Sequence, residues 1–184
     1  MLLDNQRGEA SSPLSIDTIK RSVMDFLRED AGFAQLITLN TEGYPVGRTV
    51  VASINEDWTV DLVQRSVHAR IGQWRRDPRT EIIWSGSPHR SNRNLRPHVF
   101  DWCVQIPRVV FLRGEAEFMT DRELVTSFNA QCAANLAAGR DLAPMRDRSD
   151  ITSELIGVHI RPVQVRAEGF GMGAESWTWR CERS

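Results

Sequence analysis

Residues 33–39, 45–54 and 59–64 form three runs rich in β-branched and apolar side chains, joined by the turn formers Asn40-Thr41-Glu42-Gly43 and Asn55-Glu56-Asp57-Trp58. Side chains branched at Cβ lose rotamer freedom in a helix but pack well on a pleated surface, and connections this short join only antiparallel neighbours. Two successive antiparallel hairpins are therefore expected early in the chain. No G-x-G-x-x-G run follows a strand, so a doubly wound dinucleotide-binding sheet is not expected.

The rest of the chain extends this pattern. Asp77-Pro78 breaks a short helix, because proline cannot continue it and disfavours helical geometry one residue earlier, and 79–85 reads as a fourth strand. A polar loop over 86–94, a short strand over 99–106 and a long strand over 108–118 follow. Asp121 is expected to cap a helix that runs to about Ala138 and stops at Gly139. After a polar connection over 141–150, a last strand over 155–167 is interrupted by Pro162, which implies an edge or a bulge. Ahead of the first hairpin, 1–14 reads as a loose polar leader. Ser15 then opens an amphipathic helix with Ile16, Ile19, Val23, Phe26 and Leu27 at helical spacing and Gly32 as its stop. The expected fold is mainly β (α+β), a six-stranded antiparallel barrel with a few flanking helices, as a single domain over 15–184.

Charge narrows the choice of partner. With 23 basic against 24 acidic residues and a pI near 6.4, no global field draws in nucleic acid or anionic lipid, so any anion must be recognised locally. Arg90, Arg93, Arg96 and Trp102 could belong to a single-strand-binding barrel, but the balanced charge argues against it. Cys103, Cys132 and Cys181 are odd in number, widely spaced and lack a CxxC pair, which fits a reducing cytoplasm. No run approaches the ~20 apolar residues of a membrane span, and a membrane partner is not expected. Lys20 is the single lysine and sits in the first amphipathic helix, which disfavours Schiff-base chemistry. His89, His98 and His159 show no metal-ligand spacing, and Glu115 and Glu117 share a strand face as solvated groups. Trp74 and Trp84 read as core. Trp177 and Trp179 alternate at strand spacing, either to cover a partner's cofactor or to pack at a dimer seam.

One stretch gathers unusual chemistry. Around Arg65, Ser66, His68 and Arg70 a strand is expected to end, Ser66 to cap a helix, and three basic groups to crowd its first turn. A cation there opposes the helix dipole by roughly 0.3–1 kcal/mol, whereas an anion would be welcomed by the dipole, the free N–H groups and the guanidiniums. From local sequence alone, a surface helix with its basic side chains in water reads equally well.

The order of these elements is more specific than any one of them. A helix is followed by a hairpin carrying Gly43-Tyr44-Pro45-Val46-Gly47-Arg48 and by the Arg65-to-Arg70 turn. Then come a helix ending in Arg75-Arg76-Asp77-Pro78-Arg79 and the strand that starts at Arg108. From about Ile16 to Pro162 this resembles the FMN-binding split-barrel superfamily of the pyridoxamine 5′-phosphate oxidase type, which includes relatives that use a deazaflavin and relatives that bind haem. The resemblance implies a homodimer with the cofactor at the subunit interface. Arg48, Thr49, Val50 and Val51 would lie beside the flavin ring and ribityl chain, and Arg65, Ser66, His68 and Arg70 would hold the phosphate. His68 stands where many relatives carry lysine. Arg108 matches an arginine of a family strand motif, with Val109 where the oxidases have glutamine. The C-terminal segment 171–180 lacks the run through which true oxidases hold pyridoxamine phosphate, so vitamin B6 oxidation is not implied. The implied activity is an FMN-dependent oxidoreductase of a small-molecule substrate. The alternatives are a reductase using the deazaflavin coenzyme F-420 and a non-catalytic flavin or haem carrier or sensor.

Overall fold

A computed structural model describes residues 15–31, 33–86, 108–140, 146–170 and 176–181. The leader, Gly32, the loop beyond Gly86, the expected strand over 99–106 and Cys103 lie outside the described residues. Cys132 and Cys181 are free thiols.

The first helix, α1 (Ile16–Asp25), begins at Ser15, whose Oγ accepts from the Thr18 N–H at 3.2 Å. Ile19 and Val23 are fully buried, and the helix runs on into one π-helical turn, Phe26–Asp30, that buries Phe26 and Leu27. The sheet contains β1 (Ala34–Leu39), β2 (Pro45–Val50), β3 (Ser53–Ile54), β4 (Val60–Arg65), β5 (Arg79–Ser85), β6 (Val109–Phe118), β7 (Leu155–Glu168) and β8 (Ser176–Arg180). Its order is β2-β1-β5-β6-β7-β4-β3, with β8 added against β7, and every pairing is antiparallel. Three further helices are α2 (Ala69–Arg76), α3 (Asp121–Ala137) and α4 (Arg148–Glu154).

Among the described residues the sheet has eight strands where a six-stranded barrel was expected. Residues 45–54 form two strands, because up to Val50 they pair with β1 and from Ser53 they pair with β4. The two strands thus stand at opposite ends of the strand order. Only Val51 and Ala52 connect them, and three Cα–Cα steps span at most about 11 Å, so the sheet has curled until its two edges nearly meet. This break in the ladder is what splits the barrel. The second extra strand is β8.

Inside the curl, Leu36, Leu62, Ile82, Leu112, Ile160 and the expected core residues Trp74 and Trp84 are almost completely buried. Pro162 marks a bulge rather than an edge, since β7 pairs with β4, β6 and β8 and its register against β6 shifts between Arg113 and Gly114. Proline has no N–H for the ladder, and a bulge removes the need for one.

Two local expectations are revised. The cap of α3 is Thr120, one residue before Asp121: its Oγ1 accepts from the Glu123 N–H at 3.4 Å, and the Glu123 carboxylate accepts from the Thr120 N–H at 2.8 Å. The Thr120 N–H holds the Glu123 carboxyl below its usual pKa, with the Thr120 hydroxyl acting in the same direction. Replacing Thr120 by alanine is expected to cost about 1 kcal/mol. A thermal melt should register this as a drop of roughly 2–4 °C for a chain of this size. The connection over 141–150 ends in the unforeseen α4, a helix of 7 residues, too short to carry a periodic signal.

Candidate basic site on the strand-to-helix turn

Strand β4 turns Val60, Leu62 and Gln64 into the barrel and ends at Arg65. The chain then makes a tight turn in which the His68 N–H donates to the Arg65 carbonyl at 3.1 Å. The Ser66 N–H donates to the Glu154 carbonyl at 2.9 Å and ties the turn to the end of α4. Helix α2 therefore starts two residues later than expected. Its N-cap is His68, not Ser66, and the imidazole makes no capping bond to the helix. Ser66 is exposed on the turn, beside the exposed Val67.

The turn does bring basic groups together. Arg70 is only 8 % exposed, and its Nη2 lies 2.8 Å from His68 Nδ1. Arg70 Nε is buried and has no hydrogen-bond partner. From β2, Arg48 Nη1 donates to Thr38 Oγ1 and to Gln73 Oε1, both at 3.2 Å, while Thr38 Oγ1 donates to Gln73 Oε1 at 2.6 Å. Thr38 and Gln73 carried no signal of their own in the sequence, although Gln73 lies one helical turn after Arg70 and so shares its face.

The electrostatics are one-sided. Burial pushes the His68 pKa below its usual value, and Arg70, Arg65 and Arg48 push it the same way. Burial, followed by repulsion from Arg48, likewise lowers that of Arg70. Among the described residues no carboxylate pairs with Arg48, Arg65, His68 or Arg70. Glu154, whose backbone holds the turn, directs its carboxylate to Arg146 at 2.5 Å. An isolated buried charge is costly, and here the Arg48 guanidinium repels a buried Arg70 that has a donor to spare. A multi-oxygen anion supplies both missing parts, countercharge and acceptors, so the residues present fit a phosphate.

The other expected site residues divide. Thr49 is exposed and its Oγ1 accepts from Gln35 Nε2 at 3.0 Å. Val51 is 71 % exposed just past β2, but Val50 is 6 % exposed with its side chain in the core. Arg108 is not brought to the turn. It precedes β6, where Val109 faces Glu168, whereas Arg65 faces Leu155 at the opposite end of β7. Its carbonyl accepts from the Gly86 N–H at 2.9 Å and its guanidinium lies over Phe170 at 5.4 Å.

Trp177 and Trp179 are both half-buried, and Trp179 stacks on Trp58 of its own chain at 5.7 Å. His159 pairs with Asp61 at 2.7 Å, and Glu117 with Arg161. Among the described residues no three His, Cys, Asp or Glu side chains are grouped to hold a metal. Arg90, Arg93, Arg96 and Trp102 lie outside the described residues. Clefts of about 390 Å3, beside Glu81 and Arg113, and about 660 Å3, beside Asp61, Arg122, Glu123 and His159, are lined by none of the four basic groups. Both clefts mix the two signs of charge, so neither has the turn's excess of donors.

No protein-family model matches the sequence, and no curated protein matches it. Solved structures do. A proposed 5-nitroimidazole antibiotic resistance protein from Bacteroides thetaiotaomicron superposes with a TM-score of 0.61 at 14% identity, over 85% of this chain and 86% of that one. A haem-binding protein from Mycobacterium smegmatis gives 0.59 at 20% identity over 92% of this chain, which spans 59% of that longer one. A proposed pyridoxamine 5′-phosphate oxidase from Listeria innocua gives 0.53 at 12% identity, over 81% of this chain and 97% of that one. The chain thus has the split-barrel fold of the pyridoxamine 5′-phosphate oxidase type. Identities this low carry the fold and no more. Among the described residues no helix is long and apolar enough to cross a membrane.

Proposed function

We propose that the chain is an FMN-dependent oxidoreductase that acts on a small molecule in the cytoplasm as a homodimer. Its cofactor phosphate is held by Arg65, Ser66, His68 and Arg70, and its ring lies along Arg48, Thr49, Val50 and Val51. One observation carries the reading: the buried Arg70, with a free Nε donor, sits among Arg48, Arg65 and His68 and, among the described residues, has no acid opposite. A phosphate monoester bears about −1.5 to −2 charges at pH 7 and offers three acceptor oxygens, which is the complement of that arrangement.

The dimer is supported by apolar exposure on an outer hairpin. Phe33 and Val51, at neighbouring ends of β1 and β2, are 66% and 71% exposed, and Tyr44 in the connecting turn is 66% exposed. A second copy covering this edge would bury them and end the ladder. Arg108 is remote from the turn in its own chain, so a contact with the cofactor would have to come from the second copy.

Bound FMN would supply hydride or electron transfer, while the chain's own groups hold the phosphate, orient the ring and keep water from one face. Visible spectroscopy of the purified protein, followed by titration with FMN and with phosphate-free riboflavin, tests this. Saturable binding that strongly prefers FMN is expected. A colourless protein that binds neither flavin overturns it, and saturation by coenzyme F-420 or haem instead of FMN assigns the site to one of those ligands.

A further inference from the structure

We propose that His68 serves the phosphate site as a neutral positioning residue that holds the Arg70 guanidinium, and not as a fourth cation. This rests on the reading that the turn takes the cofactor phosphate. A guanidinium has donors and no acceptor, so the 2.8 Å contact from Arg70 Nη2 to His68 Nδ1 requires a lone pair on Nδ1. The ring is then uncharged and carries its proton on Nε2.

The surroundings favour that state from every side. Arg70 faces the ring from α2, Arg65 from the end of β4 and Arg48 from β2, all of them positive. Glu154, the acidic residue whose carbonyl accepts from Ser66, is engaged with Arg146. A protonated imidazole would have no lone pair for Arg70 and would stand as one more cation in the cluster. The bond to His68 is also the hydrogen bond that fixes Arg70 among the described residues, since Nε has none. Its loss would free a long side chain that the site needs in one place. The neutral ring keeps a second function, for its Nε2–H remains a donor toward the anion without adding repulsion.

Lysine, the residue that the resemblance places here, would add charge but no acceptor. Asparagine would do the opposite, because its Oδ1 stands near the position of Nδ1. The two substitutions therefore separate positioning from charge.

FMN and riboflavin affinities are measured by flavin fluorescence for wild type, His68→Asn, His68→Ala and His68→Lys at pH 7.5. In parallel, nitrogen-15 spectra of the histidine rings are recorded on the wild-type protein with and without FMN, and His68→Asn identifies the signal. His68→Asn is expected to stay within about threefold of wild type for FMN, while His68→Ala and His68→Lys weaken it by about tenfold or more, with riboflavin unchanged throughout. The spectra should show the neutral Nε2–H form in both states. FMN affinity in His68→Lys equal to or above wild type, an unchanged His68→Ala, or a protonated ring in the FMN complex at pH 7.5 overturns the inference. A wild-type protein that does not prefer FMN to riboflavin defeats the functional reading itself, an outcome visible before any variant is compared. In that case a doubly protonated ring in the ligand-free protein still refutes the neutral assignment of His68.

Discussion

Replacing Arg70 by methionine is expected to weaken FMN binding by about 10- to 100-fold while leaving the ligand-free protein as stable as wild type or more so. Loss of hydrogen bonds to a charged group removes about 1.5–3 kcal/mol, and each 1.4 kcal/mol is a factor of ten in affinity. Ligand-free stability moves the other way. Arg70 is 8 % exposed, is repelled by Arg48 and leaves Nε without an acceptor, so it is a buried charge that no carboxylate among the described residues neutralises. Methionine has a similar length and fills the space without needing partners, and apolar replacement of buried charge is often neutral or stabilising. Fluorescence titration with FMN and riboflavin, together with a thermal melt of the apo-protein, reads both quantities. An unchanged FMN affinity, or an equal loss for both flavins, removes Arg70 from the phosphate site. A sharply lower melting temperature would make the residue structural.

The second large effect lies far from ligand chemistry. Gly114 stands in β6 opposite Pro162, where the register shifts. A Cβ at this position would collide with the Arg161 carbonyl oxygen and come within 2.7 Å of Ile160 Cγ2. The obstacle is backbone of the strand that β6 itself pairs with, and a rotamer change cannot clear it. Gly114→Ala is expected to cost about 3 kcal/mol or more, the upper range for overpacking. For a chain of this size that lowers the melting temperature by roughly 10 °C. Gly157→Ala provides the comparison, since the atoms nearest the added methyl belong to the Met119 side chain, whose Sδ, the closest of them, can swing away. Its loss is expected to stay near 1 kcal/mol, at the low end for overpacking. Equal melting temperatures for the two variants would mean that the bulge can widen.

Most elements were legible because their signals are local. Strand β5 occupies 79–85 as read, β6 differs by one residue, and Gly139, at φ +68°, ends α3 where a glycine was expected to. Turn residues, proline and β-branched runs act within a few positions, so proximity in the chain is enough to see them. The misreadings share a cause. Nothing within 45–54 announces that its first part pairs with β1 and its last part with β4. Ser66 looks like a helix cap until Glu154, from a distant helix, takes its N–H and the turn closes on Arg65.

The basic turn was visible for the same local reason: Arg65, His68 and Arg70 fall within six consecutive residues, and no fold is needed to place them together. Linear order also sufficed for the antiparallel hairpins and for a mainly β barrel, because short connections leave the strands no other way to pair. Whether those side chains would lie in water or be buried against one another was decided by long-range partners. Curling of the sheet carries Arg48 to Gln73, buries Arg70 against His68 and leaves its Nε unanswered, while it sends Arg108 to the far end of β7. A side chain's exposure and its hydrogen-bond partners belong to the whole packed chain, since desolvation depends on every atom that displaces water and no short stretch of residues contains them all.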